Sequence, residues 1–514
     1  MHPVSQRVSD IGGRLARGPV GARLRTGLLV LSFALLLLVG LTLPNAAASD
    51  LGDRGWAPGT LLPFALGPAL VTAAMWTAYT VGALAVALSL LRRDGELPRP
   101  VVGALAVAAA LTTPFGSGDH VSYAAYGRIL SLGDNPWLES PDRWRGGADP
   151  VVSRVEAPWT EEPSVYGPFA TLVQGLTSLG GGDSLRETVW LWQLVVVASW
   201  LAVRWCLRRL LPGNGARIDA VWTANPLVFS VGLLGAHVDL LATALGVAAV
   251  WAAHRHVGVG GAVLAGTLGA LAVSSKFTYA VFLVALLLAL GGRRLGRSVV
   301  LVVSAVVVTG ALHVWAGPHV YDQLGRSARA VSLATPWRWL LEVSGGGVDV
   351  RMRISALAAA AAVVFALCLL RLVHPVTRSP ATSASTAAGA TVGADVGVGA
   401  RALAWVVVLA GGYALAASYS LPWYDLMVWS ALPAVTVGAV DAVLLARLWV
   451  MAMAYTPGRV LGMTPGVEDV TMAVRTQVAP AVLLAAWVWL VRTAWRDGSW
   501  PRRAARPGGS APRR

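Results

Sequence analysis

Asp119 is the residue of this chain around which chemistry is most readily built. It stands just past the apolar run 101–115, within the polar stretch 116–145, at the head of a segment whose pattern predicts a short helix. Spacings of four and then three bring Tyr123 and Tyr126 onto the face that Asp119 begins. A carboxylate in that place can take the proton of a hydroxyl acceptor as a general base. The same position also suits a helix N-cap, a role that Ser117 can fill as well. Gly133-Asp134-Asn135-Pro136 predicts the turn that ends the helix.

Other polar or aromatic islands follow. Glu156-Ala157-Pro158-Trp159 and Pro163-Ser164-Val165-Tyr166-Gly167-Pro168 predict a shaped, non-helical surface. The Trp159 and Tyr166 rings there can stack on sugars or lipid headgroups, or simply anchor the loop at a membrane interface. His237 and Asp239 lie in Gly235-Ala236-His237-Val238-Asp239, and on a helix residues two apart do not share a face. No other close His, Asp or Cys set joins them, so no metal site is expected. Lys276 is the sole lysine, among 41 basic residues. It can offer a point charge to a phosphate, or snorkel to an interface. Arg326, Arg329 and Arg338 form a second group of cations able to clamp a phosphate. Trp423 and Tyr424 follow Pro422 at the edge of another apolar run.

Composition says what kind of scaffold must position these islands. The chain has 514 residues, 56% hydrophobic and only 13% charged, with a mean hydropathy of +0.62. That charged fraction is about half the soluble norm. Fourteen apolar runs are candidates for crossing a bilayer, so the fold class is an all-α polytopic integral membrane protein with about 12–14 transmembrane helices. The net charge of +15 reflects arginine at the ends of spans and not a nucleic-acid partner. With a cytoplasmic N-terminus, most arginines fall inside and most acids outside, and both termini are cytoplasmic. The first apolar run, 26–43, is read as a retained helix. Two cysteines, Cys206 and Cys368, predict no disulfide framework.

The expected organisation is a basic N-terminus (1–25), a transmembrane module (26–373) with outer loops 116–186 and 317–352, a flexible linker (374–400), C-terminal helices (401–493) and a basic tail (494–514). Nucleotide-binding fingerprints and HExxH are absent from the sequence. With the acids outside, a transferase of this build would draw on a lipid-phosphate donor.

The ordered set Asp119-His120-Val121-Ser122-Tyr123, Asn135-Pro136-Trp137, Trp159, Tyr166-Gly167-Pro168, Gly235-Ala236-His237-Val238-Asp239 and Pro422-Trp423-Tyr424 resembles actinobacterial polyprenol-phosphate-mannose-dependent α(1→6)-mannosyltransferases. Where that family often has two adjacent acids, this chain has Gly118-Asp119, and the family's Gly-x-His-Asn-Asp reads with Val238 in place of Asn. The resemblance implies a GT-C fold in a bacterial plasma membrane, with an extracytoplasmic active site. It implies inverting transfer from polyprenyl-phosphate mannose to a mannan or glycolipid acceptor of the lipomannan core, with no cofactor. Asp119 would be the base. Lys276, Arg326, Arg329 and Arg338 would hold the donor phosphate. His120, Tyr123, Tyr126, Arg128, Trp159, Tyr166, His237, Asp239, Trp423 and Tyr424 would contact substrates. The rival readings are a related transferase with an arabinosyl donor or a protein acceptor, a secondary transporter, or a non-catalytic assembly partner.

Overall fold

The structure, a computed structural model, describes residues 18–53, 55–92, 95–291, 294–323, 325, 329–376, 397–459 and 462–497. Most of the expected N-terminal segment, most of the linker, the tail beyond residue 497, and Arg326 lie outside the described residues.

Within these limits the protein is helical, and the β pairing consists of two isolated bridges, Ala48 with Phe115 and Pro375 with Val435. Eight helices are long and apolar enough to cross a membrane: α1 (Pro19–Leu41), α2 (Pro68–Arg92), α6 (Leu185–Leu210), α7 (Val238–Arg255), α10 (Leu295–Ala316), α11 (Val348–Leu372), α12 (Val398–Ala416) and α14 (Pro465–Asp497). Three shorter apolar helices join them: α3 (Arg99–Leu111), α8 (Val259–Val273) and α9 (Ala280–Leu290). The remaining helices of the frame are α4 (Asp119–Ser131), α5 (Pro168–Gly181) and α13 (Ala439–Ala454). The protein is therefore a multi-pass membrane protein of the GT-C type. Several starts follow from local sequence. Pro19, Pro168 and Pro465 sit in the first turn, where a missing N–H costs nothing. Ser184 caps α6 by accepting from the Glu187 N–H.

Two apolar runs expected as spans are broken instead. In 219–233, Asn225 accepts from the Leu227 and Val228 N–H groups and starts a new turn at Pro226, with π-helical turns on either side. In 423–440, Pro422 and Pro433 leave three short turns, because proline cannot continue the backbone ladder. Residues 219–233 are buried throughout and 425–435 likewise, so their apolar character fills the bundle core and does not face lipid. At the centre stand α7 and α12, with 72% and 78% of their apolar windows buried. In α1, α10 and α11 that share is 17–22%, which leaves their Leu and Val faces for the bilayer.

The segment 116–186, expected as an outer loop, helps build a small core separate from the main one. Val121, Ala124, Ala125 and Ile129 of α4 pack with Trp144, Val151, Val152, Val155, Leu185 and Val189, and Trp159 lies against them. α4 and α5 cross closely at Gly127, where a Cβ would come within 2.3 Å of the Gln174 carbonyl oxygen. A side chain at that position would push the two helices apart, and α4 carries Asp119.

Candidate active site

Asp119 is the first residue of α4, and its side chain caps nothing. The N-cap is Gly118, without a side-chain bond, and Ser117 Oγ accepts from the Asp119 N–H at 2.9 Å. The carboxylate is thus free to look elsewhere. Its Oδ2 lies 3.4 Å from His237 Nδ1 and 3.4 Å from the Tyr123 hydroxyl, which donates to it from one helical turn on. The Asp119 side chain keeps 12% exposure, while His237 is 1% exposed. Burial pushes the Asp119 carboxyl up. The His237 hydrogen bond and charge, the Ser117 bond and the Lys276 charge outweigh that and hold it below its ordinary value. It is ionised at neutral pH.

His237 reaches Asp119 because it is not inside the helix. It is the extended N-cap of α7 (φ −76°, ψ 138°), set up by Ala236 in the left-handed region at φ 53°. A non-glycine residue there costs on the order of 1–3 kcal/mol and persists only when its surroundings enforce it. Trp192 Nε1 donates to the Ala236 carbonyl at 2.7 Å, and the Gly232 carbonyl accepts from the His237 N–H at 3.1 Å. The His237 ring stacks on Trp423, with centroids 3.7 Å apart and planes 13° off parallel.

Asp239 falls in the first turn of α7, where the helix dipole favours a negative charge. Both its oxygens accept from Lys276 Nζ, at 2.8 and 2.9 Å, and the Tyr279 hydroxyl donates to its carbonyl at 2.8 Å. Lys276 Nζ also lies 3.8 Å from the centre of the Tyr424 ring. The expectation that His237 and Asp239 stand on different faces of one helix rested on both being helical, and His237 is not. One is a cap outside the helix and the other sits in its first turn, so both face the same end of the bundle. The loop around Tyr166 is fastened to this cation by backbone bonds, with Gly167 N donating to Ser275 O at 3.1 Å and Phe169 N to Ser274 O at 2.8 Å. Tyr166 in turn meets Tyr123 edge-on at 4.9 Å. Burial raises both phenols well above their usual range, so they stay protonated.

Other expected residues have different surroundings. The Tyr126 hydroxyl donates to the Glu162 carbonyl at 2.9 Å. Arg128 ties together Asp149, Asp183 and the Gly182 carbonyl. Trp159 belongs to the outer-loop core. Arg338 pairs with Glu342 one turn on, and Arg329 donates to the Gly325 carbonyl from an exposed position. His120 is fully buried beside the site, and neither ring nitrogen has a hydrogen-bond partner. Burial above all, helped by the neighbouring His237 and Arg459 and opposed by Asp119, pulls its pKa down to about 3, so it is neutral.

Sequence reasoning missed two residues that fasten the segments around this site. Arg459 grips Glu156 through Nε, at 2.9 Å, and Nη2, and its Nη1 donates to the Ala48 carbonyl at 2.9 Å and to that of Asn45. Beside it Gly458, at φ 104°, lies directly on Gly116, where a Cβ would fall 2.0 Å from the carbonyl oxygen. The glycine at this contact was the available signal. Among the described residues no group of three His, Cys, Asp or Glu side chains converges as a metal site.

Residues 25–292, just over half of the chain, match the family described as alpha-(1->6)-mannopyranosyltransferase, N-terminal domain. A 135-residue stretch is 32% identical to a probable alpha-(1->6)-mannopyranosyltransferase of Mycolicibacterium smegmatis, covering 26% of this chain and 24% of that protein. It is 30% identical to an alpha-(1->6)-mannopyranosyltransferase of Mycobacterium tuberculosis, covering 26% and 23%. The chain thus spans about a quarter of the length of these relatives in alignment. No solved structure matches it.

Proposed function

Because the chain belongs to the alpha-(1->6)-mannopyranosyltransferase family, we propose that it moves mannose from a polyprenyl-phosphate-mannose donor to a hydroxyl of a mannan or glycolipid acceptor, on the extracytoplasmic side of a bacterial plasma membrane. The observation that carries this reading is Asp119: a largely buried, ionised carboxylate with only two loose side-chain contacts, facing the aromatic walls Tyr123 and Tyr166.

The transfer is a single displacement with inversion. The acceptor oxygen attacks the anomeric carbon while Asp119 takes its proton. The bond from that carbon to the phosphate oxygen breaks, and its electron pair leaves with the polyprenyl phosphate. His237 orients the carboxylate and is itself held flat by Trp423. Lys276, aimed by Asp239 and Tyr424, supplies the cation for the departing phosphate. Asparagine matches aspartate in shape but cannot accept the proton. Asp119→Asn should therefore lose at least about a hundredfold in transfer from polyprenyl-phosphate mannose to an α(1→6)-oligomannoside. Near-normal turnover in a correctly inserted variant would sink the base assignment. Failure of the unaltered protein to use that donor would sink the substrate assignment.

A further inference from the structure

A second built site lies at the opposite end of the bundle. α6 begins beside the Asp119 loop, where Leu185 joins the core that holds Val121. Its 26 residues then run about 39 Å at 1.5 Å per residue. Just past its far end is a cavity of about 250 Å³, walled by Leu90 at the end of α2, by Ala216 and Ala220 after α6, and by Val376, Val435 and Val437. These walls are apolar, and Arg217 also lines the cavity.

Arg217 is 8% exposed. Its Nη2 donates to Asp441 at 2.8 Å and to the Leu432 carbonyl at 3.0 Å. Its Nε and Nη1 are buried and have no hydrogen-bond partner. Leaving such donors unpaired costs roughly 1–3 kcal/mol or more for a charged group, so the site calls for acceptor oxygens. Asn214, which also lines the cavity, directs its amide N–H to the Pro433 carbonyl. Arg209, in the last turn of α6 and stacked over Trp205, adds positive charge at this end, which favours an anionic group, while Arg208 there is paired with Glu96 and Asp219. The volume is below the 300–1,000 Å³ of pockets that enclose a drug-sized ligand, so only a headgroup-sized fragment fits.

We propose that the cavity between α2, the turn after α6 and residues 435–437 binds a phosphoryl group on Arg217, with the carbon skeleton that bears it lying on the valine and leucine walls. The phosphate of a phospholipid on the membrane face away from Asp119 matches this chemistry, and a free phosphate shares its polar half. The site does not depend on the transferase reading.

The test uses the purified full chain in detergent, probed by native mass spectrometry and thermal unfolding with phosphatidylglycerol, phosphatidylcholine and inorganic phosphate. Arg217→Met would leave Asp441 unpaired and can misfold, so Ala216→Leu, which fills the cavity and leaves the ion pair alone, is the deciding variant. The expected result is retention and thermal protection by phospholipid that weaken at least tenfold in Ala216→Leu, with its unfolding temperature without ligand unchanged. Protection by inorganic phosphate alone, also removed by Ala216→Leu, would assign the same site to the free ion. Equal retention of each probe by the unaltered protein and Ala216→Leu, or binding of none of them, would overturn the proposal.

Discussion

Two buried aspartates in this protein live in opposite conditions. Asp425 is 1% exposed and locked to Arg447, which is equally buried, donates through Nε to the Ala414 carbonyl at 2.8 Å, and bonds Ser420 Oγ through Nη2. Asp119 has no arginine or lysine partner within salt-bridge distance; its side-chain contacts are an imidazole and a phenol at 3.4 Å. A carboxylate clamped by a guanidinium in a closed site has its charge balanced and no open face, which suits holding helices together. A carboxylate with long contacts and a partly open face keeps an oxygen for another molecule. Asp239 is intermediate, paired to Lys276, whose side chain retains 17% exposure.

The contrast can be broken most forcefully at the clamp. Arg447→Met leaves Asp425 as an unpaired buried charge and should cost about 3–5 kcal/mol of stability. Denaturation in detergent measures it, and a loss below about 1 kcal/mol would show that the clamp holds nothing. Asp119→Asn, by comparison, should cost far less stability than Arg447→Met while transfer falls by about two orders of magnitude or more. A drop in stability matching that of Arg447→Met would make Asp119 structural too. Lys276→Met tests the intermediate case. Removing a charged contact worth about 1.5–3 kcal/mol should raise the donor KM, or lower turnover at fixed donor, by roughly ten- to a hundredfold. The acceptor KM should move little, a split that general destabilisation would not produce.

The mildest effect concerns pH. The Asp119 carboxyl is held below its ordinary value of about 3.9. A depressed folded pKa contributes stability that is complete above that ordinary value and is lost as pH falls through the depressed one. His120 stays neutral down to about pH 3. Neither group should change charge between pH 7 and pH 5, and the acid limb due to Asp119 should lie below about pH 4. A rate profile in which Asp119→Gln abolishes a limb centred above pH 5 would contradict this environment for the carboxylate.

How far the sequence could be read depended on what each residue's backbone did. The turn from Asp119 to Tyr123 obeyed helical spacing, so their contact was foreseeable. His237 and Asp239 were separated on paper because two-residue spacing was applied to a helix that begins only after His237. Nothing local signals the left-handed Ala236 that aims the ring. The runs 219–233 and 423–440 were apolar enough to pass as spans, but Asn225, Pro226, Pro422 and Pro433 interrupt their ladders. Arg447 was visible as a charge inside the apolar run 442–455, a warning in any membrane chain. Its partner Asp425 lies in a different segment, and spacing within one helix could not find it.

The stack of His237 on Trp423 and the grip of Arg459 on Glu156 have a consequence for when the protein becomes competent. Asp119 and Lys276 are both made by residue 276, but the ring that flattens His237 and the guanidinium that grips Glu156 arrive later, the last of them at residue 459. At roughly 5–20 residues per second, the ribosome needs about 10–40 seconds to cover that interval. During it the nascent chain holds an unfinished centre in the membrane. A chain stalled between Leu372 and Val398 should bind to the translocon and insert, yet transfer no sugar, so synthesis itself acts as a timer on activity.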